Sequence, residues 1–209
     1  MNSEQIIQDL LTAYYKPNTQ ISKHIIIDIL TDIVKRYKQK GKVLIFGTGY
    51  DTDLWVNANK DGQTLFVEHD PVWFQKAAEM YPGKVVFHPF DNITVDSSME
   101  LTTADLKTFP IPAELLETKW DIVIIDGPTG CNGDCPGRAL PIYWTKEHFS
   151  HTNTIVYIDD CDRDVEKRFI DECFDANTQQ RYYEGRYGTI RIAFFIQARR
   201  PQYRSSRQR

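Results

Sequence analysis

The chain has 209 residues, 41% hydrophobic and 26% charged, ordinary for a soluble globular domain, which excludes a collagen-like, disordered or membrane-embedded class. Its formal charge of -4 argues against a nucleic-acid partner, which needs a basic face. No apolar run reaches the roughly 20 residues that cross a bilayer, and Met1-Asn2-Ser3-Glu4-Gln5 is unlike a signal peptide, so a cytoplasmic protein with no membrane partner is expected.

Taken in chain order, residues 4–15 and 21–39 read as helices. In the second, Ile21, Ile25, Ile29 and Ile33 form one apolar stripe, and Gly41 is expected to end it after a lysine-rich last turn. Short apolar runs follow: 43–46, 64–67, 85–87, 121–125 and 154–158. Unbroken apolar character fits strands buried on both faces, and helical stretches such as 73–81 and 163–174 separate them. Strand–helix alternation of this kind predicts an α/β fold with a mostly parallel sheet and helices on both sides. Residues 180–187 and 189–197 read as a closing antiparallel hairpin turning at Tyr187-Gly188. Together these give a Rossmann-like, seven-stranded methyltransferase arrangement as one domain, 1–198, with N-terminal helices over 1–40. The basic end, 199–209, reads as a disordered, solvated tail or as a contact for an anionic surface.

The first strand runs into Gly47-Thr48-Gly49-Tyr50-Asp51, and the second ends at Glu68. In an open α/β sheet ligands bind outside the carboxyl ends of the strands, and a carboxylate about 20 residues beyond the glycines is placed to accept ribose hydroxyls. Gly47, Gly49, Asp51 and Glu68 are therefore candidate cofactor contacts. A dinucleotide site needs a third glycine where Thr52 stands, and Asp51 would repel phosphate. S-adenosylmethionine carries a sulfonium and an ammonium instead, which carboxylates favour. A plain strand–helix turn with an exposed glutamate is the bland alternative. Asp91, after the third strand, reads as an adenine contact or as an exposed turn aspartate.

The fourth strand ends in Asp126-Gly127-Pro128-Thr129-Gly130 and the fifth in Asp159-Asp160-Cys161-Asp162-Arg163. Three carboxylates at adjacent strand ends need a cation or a proton. One reading makes Asp126, Asp159 and Asp160 ligands of Mg2+ or Mn2+, which would acidify an acceptor hydroxyl. The other makes Asp126 a base without metal and Asp159 and Asp160 a helix cap. Asp126, Asp160 and His69 are the candidate catalytic groups. Thr129 and Arg138 are candidate acceptor contacts, Arg138 equally reading as a structural ion pair. The four cysteines favour reduced thiols, and Cys131 and Cys135 read as loop thiols or as half of a zinc site lacking a second ligand pair.

These blocks resemble the glucuronoxylan 4-O-methyltransferases and irregular-xylem 15 proteins, a family of polysaccharide-biosynthesis enzymes. The resemblance rests on residues 43–55, 61–70, 120–130, 136–138 and 159–166 and covers about 18–197. It implies S-adenosylmethionine as donor, a carbohydrate hydroxyl of a glycan or polysaccharide as acceptor, cofactor binding near Gly47, Gly49, Asp51 and Glu68, and chemistry near Asp126 and Asp160. Plant members tend to carry histidine where Asp159 stands. A catechol-type, metal-dependent O-methyltransferase, a catalytically silent binding protein of the same fold and an NAD-linked oxidoreductase are the competing readings. Oligomeric state is not legible.

Overall fold

The computed structural model describes residues 2–19, 21, 23–151, 153–174, 178–184 and 191–197, the last two segments through their backbone. The expected tail at 199–209 and the turn at Tyr187-Gly188 lie outside the described residues.

Helix α1 (Ser3–Tyr14) starts at Asn2, whose side chain accepts from the Glu4 N–H. Helix α2 (Lys23–Thr31) continues into a π-helical turn, Asp32–Arg36. Helical structure therefore covers the apolar stripe from Ile25 through Ile33 and ends at Arg36, short of the expected 39. Lys38 and Gln39 take the left-handed conformation, at φ 56° and 63°, that Gly41 was expected to supply. Gly41 serves another contact: its carbonyl accepts from the N–H of Gln63 and from the Asn59 side chain, joining the start of the first strand to the second.

Strand β1 (Lys42–Phe46), helix α3 (Thr52–Ala58), strand β2 (Gln63–Glu68), helix α4 (Pro71–Met80) and strand β3 (Val85–Phe87) alternate as expected. Asp70 caps α4, accepting from the N–H groups of Val72 and Trp73, with Pro71 at the first helical position, where its missing N–H costs nothing. Three single-turn helices follow: α5 (Val95–Ser98), α6 (Thr103–Leu106) and α7 (Ala113–Leu116). Strand β4 (Ile122–Ile125), helix α8 (Ala139–Trp144) with a π-helical turn at Thr145–Phe149, strand β5 (Ile155–Ile158) and helix α9 (Asp164–Cys173) complete the parallel part. Strands β6 (Thr178–Glu184) and β7 (Arg191–Gln197) follow.

The sheet order is β3-β2-β1-β4-β5-β7-β6. Strands β1 to β5 pair in parallel, and β7 lies antiparallel to both β5 and β6. The inner strands β1, β4 and β5 carry apolar runs on both faces because each face has its own cover. Leu44 and Phe46 of β1, Val123 and Ile125 of β4 and Val156 and Ile158 of β5 pack with α8 and α9, around Trp120, Trp144 and Phe169. The alternate residues Val43, Ile45, Ile122, Ile124, Ile155 and Tyr157 pack with α1, α2 and α3, around Ile25, Ile29 and Trp55. A one-residue slip would exchange these two sets. Among the described residues no helix is long and apolar enough to cross a membrane.

Candidate active site

The order reverses between β1 and β4, so the loops after those strands part to opposite sides and leave a crevice at their carboxyl ends. Two glycines bring these loops together. A Cβ on Gly127 would stand 2.8 Å from Gly47 Cα, and Gly47 itself holds φ +101°, a conformation that side-chain-bearing residues rarely adopt. Gly47 therefore permits the backbone approach of β1 to the Asp126–Gly127 segment. The loop is closed further on by Thr52, whose hydroxyl accepts from the Gly49 N–H at 2.9 Å. The residue that departs from the dinucleotide pattern is thus a working part of this turn.

Glu68 is not an exposed glutamate. It is 2% exposed. Its Oε2 accepts the N–H and the hydroxyl of Thr48, both at 2.6 Å, and Oε1 accepts the N–H groups of His69 and Asp70 at 2.7 and 2.8 Å. Burial alone would raise the carboxyl pKa, but the hydrogen bonds from His69, Thr48 and Asp70 outweigh it and hold the group below its usual value. His69 Nδ1 lies 2.9 Å from Glu68 Oε1 without the alignment of a hydrogen bond, while Nε2 is 3.2 Å from the Thr129 hydroxyl. One imidazole thus links the end of β2 to the loop after β4. Asp91 is the residue left apart: it is exposed on the turn after β3, and its electrostatic partner is His88.

The reacting end is built around an arginine. Arg138 has a side chain only 4% exposed and lies among the three aspartates. Its Nη2 donates to Asp160 Oδ2 at 2.9 Å, to the Asp126 carbonyl at 3.2 Å and to Asp126 Oδ1 at 3.4 Å, while Nη1 donates to the Asp159 carbonyl and stands 4.0 Å from Asp159 Oδ2. Arg163 adds a second contact to Asp160 Oδ2, at 2.7 Å. Burial disfavours the charge of Arg138, but Asp126, Asp160 and Asp159 outweigh it, so its pKa rises. Two expectations are corrected here. The cation that these carboxylates need is a guanidinium of the chain itself, and the set does not fit a resident divalent ion. Among the described residues no group of three His, Cys, Asp or Glu side chains is disposed to hold a metal. Nor is Arg138 free for an acceptor, because its donors are committed inside the protein. Asp159 and Asp160 likewise do not cap α9: that position is Arg163, and Asp160 takes a left-handed φ of 53°.

One guanidinium does not neutralise everything around it. Asp126, its side chain 26% exposed, shares the Arg138 guanidinium with Asp159. Burial first, and then the Asp159 charge, push Asp126 well above the usual carboxylate range against the pull of Arg138. Burial also raises Asp159, whose Oδ1 has no hydrogen-bond partner. Asp51 joins them from the β1 loop, raised by burial and by Asp159 to about 6. Glu166, which the sequence reading passed over, is buried beside Arg138 with its Oε1 unpartnered. Its signal was faint, a glutamate in the first turn of a helix.

A stability consequence follows for Asp51. Its folded pKa, about 6, exceeds the usual 3.8, so its stabilising proton is fully held below pH 3.8 and lost as the pH rises through 6. By neutral pH the loss is on the order of 3 kcal/mol. Asp51→Asn is therefore expected to melt above the native chain at pH 7.5, with the gap closing towards pH 4. Equal melting temperatures at pH 7.5 would contradict it.

The profile of the IRX15/IRX15L/GXM family matches residues 26–108 and 91–186. Glucuronoxylan 4-O-methyltransferase 2 of Arabidopsis thaliana is 32% identical over 147 residues, covering 60% of this chain and 51% of the relative. Arabinogalactan O-methyltransferase 1 of the same plant is 29% identical over 192 residues, covering 80% and 65%. The chain thus spans about half to two thirds of the length of these curated relatives. The SAH-bound methyltransferase PaMTH1 of Podospora anserina superposes with a TM-score of 0.51 at 12% identity, over 92% of this chain and 86% of that one, which places the chain in the Rossmann-like methyltransferase fold. With a family match running from α2 into the C-terminal hairpin, the chain belongs to the IRX15/IRX15L/GXM family.

Proposed function

We propose that this chain transfers a methyl group from S-adenosylmethionine to a hydroxyl of a glycan. The observation that carries the reading is the grouping of Asp51, Asp126 and Asp159 about Arg138 outside the carboxyl ends of β1, β4 and β5, where burial and neighbouring carboxylates make their negative charge costly and raise the pKa of each. Such a site favours a nucleoside that brings positive charge, and the unpartnered Asp159 Oδ1 is a lone acceptor beside it. Relatives named for methylating glucuronoxylan and arabinogalactan support a carbohydrate hydroxyl as the acceptor.

When bound, the cofactor supplies a methyl group on a sulfonium, which an oxygen nucleophile displaces in line. The chain's own residues do the rest. Backbone of the Gly47–Gly49 loop would hold the amino-acid end. Glu68 would accept the ribose hydroxyls in place of the two donors from Thr48. Asp126 takes the proton of the acceptor hydroxyl: it is the partly exposed member of the cluster, and its raised pKa brings it nearer the working pH of a general base. Asp159 and Arg138 hold it in place, and Asp160 acts through Arg138 as a positioning residue. His69, engaged by Glu68 and Thr129, positions the loop rather than moving the proton. The acceptor side is assigned to the cavity of about 300 Å³ lined by Asp96, Met99, Gly130, Arg163 and Glu166, which meets the acidic cluster through the Arg163–Asp160 pair, Asp126 itself not being part of its lining. There the partly exposed Arg163 takes the role first expected of Arg138.

Glu68→Ala is expected to weaken cofactor binding by roughly 10- to 100-fold, the worth of hydrogen bonds to a charged group. Calorimetric titration checks this, and unchanged affinity would remove the ribose role. The reaction itself is tested with labelled S-adenosylmethionine against xylan and arabinogalactan oligosaccharides and against catechol, with and without a chelator. Labelled glycan in both conditions is expected. Labelling confined to catechol, or abolished by the chelator, would favour the catechol-type reading. Binding with no turnover on any acceptor would favour a silent binding protein.

A further inference from the structure

The loop between β4 and α8 carries a feature that methyl transfer does not use. Cys131 and Cys135 stand with their Sγ atoms 3.5 Å apart. Cys131 is exposed and Cys135 half-buried, whereas Cys161 and Cys173 are buried. The segment between the pair is neither helix nor strand, so closing the gap to the roughly 2.05 Å of an S–S bond breaks no ladder. Its ends are tied nonetheless. Val95 donates its N–H to the Cys135 carbonyl at 2.7 Å, Asp96 to that of Gly133 at 3.1 Å, and Gly137 to that of Thr129 at 2.9 Å. A Cβ on Gly133 would fall 2.4 Å from the Asp96 carboxylate, so the loop lies flat against α5 at that point. The two thiols are thus held together by the fold rather than meeting by chance on a free loop.

We propose that Cys131 and Cys135 form a redox-active dithiol, a modification site that a low-molecular-weight disulfide converts to an intramolecular disulfide beside the acceptor cavity. Cys131 is one wall of that cavity. The two sulfurs have different parts. Burial works against ionisation of Cys135, but the Asn132 N–H, the Cys131 thiol and the Thr129 hydroxyl outweigh it and hold its pKa below the usual thiol value. Cys131, whose S–H is engaged by Cys135, is raised. Cys131 is the more exposed of the two, and the lowered pKa favours Cys135 as the attacking thiolate with Cys131 as the resolving thiol. Buried Cys173, pushed up to about 12, takes no part.

The exchange balances without a metal. The Cys135 sulfur attacks one sulfur of the oxidant, whose S–S bond breaks, and one thiolate leaves and takes up a proton. Cys131 then loses its proton to solvent, attacks Cys135 Sγ and expels the second thiolate. Two protein thiols are oxidised, one small disulfide is reduced to two thiols, and a dithiol reductant reverses the reaction. Any effect on the acceptor rests on the methyl-transfer reading; the thiol chemistry does not.

The test is intact mass and thiol counting on the full chain after treatment with oxidised glutathione under native conditions. The expected product is lighter by about 2 Da, the mass of two hydrogens. It has lost two of its four titratable thiols, gives a Cys131–Cys135 crosslinked peptide and recovers fully with dithiothreitol. Cys131→Ser is expected to stop at the mixed disulfide on Cys135, and Cys135→Ser to react more slowly, at Cys131. Two stable glutathione adducts on the native chain, or no reaction at either cysteine, would overturn the proposal. A crosslink formed in a chain that methylates nothing in either redox state would count against the methyl-transfer reading alone.

Discussion

Asp126→Asn is expected to lower kcat by roughly a hundred- to ten-thousand-fold, the usual contribution of a positioned general base, while the cofactor Kd stays near its native value. Asparagine keeps the shape of the side chain and an oxygen that Arg138 Nη2 can reach, as it reaches Oδ1 at 3.4 Å in the native chain. It cannot accept the hydroxyl proton. It also removes one of the facing carboxyls, so the variant is expected to melt no lower than the native chain at neutral pH. Equal losses in turnover and cofactor affinity would instead mark Asp126 as a binding or structural group. Single-turnover kinetics with a parallel binding isotherm separates the two.

Arg138→Met is expected to cost about 3–5 kcal/mol, because it leaves buried carboxylates without their counter-charge. For a chain of this length that corresponds to a fall in Tm of roughly 10 °C. The deficit should be largest at pH 7.5 and shrink towards pH 5, where Asp126 and Asp159, already raised, take up protons in place of the missing cation. Lysine should restore little. One ammonium cannot span the carboxylates of Asp126 and Asp160 and the three backbone carbonyls, of Asp126, Pro128 and Asp159, that the guanidinium reaches. A Tm within a degree or two of native at pH 7.5 would show that the cluster is protonated without help from Arg138.

The alternation of strands and helices was legible because each inner strand is buried on both faces. The apolar runs at 43–46, 64–67 and 122–125 therefore needed no partner to be recognised. The rim of the site was legible for a related reason: chemistry-bearing residues end those runs, and a parallel sheet sends all of them to one side. What pairs with what was not. Arg138 lies 12 positions from Asp126 and 22 from Asp160, and its burial depends on where α8 begins. From the sequence alone it read as an acceptor contact or as a structural ion pair, and the acidic triad as a metal site or as a metal-free base beside a helix cap. Thr48 was passed over, and Thr52 was read only as a missing glycine, because a hydroxyl in a glycine loop has no pattern of its own. Their roles appear only once Glu68 and Gly49 are seen to be their partners. Gly41 was misjudged because left-handed turns are available to lysine and glutamine when tertiary contacts repay the strain, as at Lys38 and Gln39.

The measurement that bears most directly on the central claim is a crystal structure of the chain with S-adenosylhomocysteine. The expected result has the ribose hydroxyls on Glu68 with Thr48 displaced, the amino-acid end over the Gly47–Gly49 loop, and the sulfur facing Asp126 across the space left for an acceptor. A ligand seated elsewhere on the sheet, or a sulfur turned away from Asp126 with Glu68 still bonded to Thr48, would contradict it.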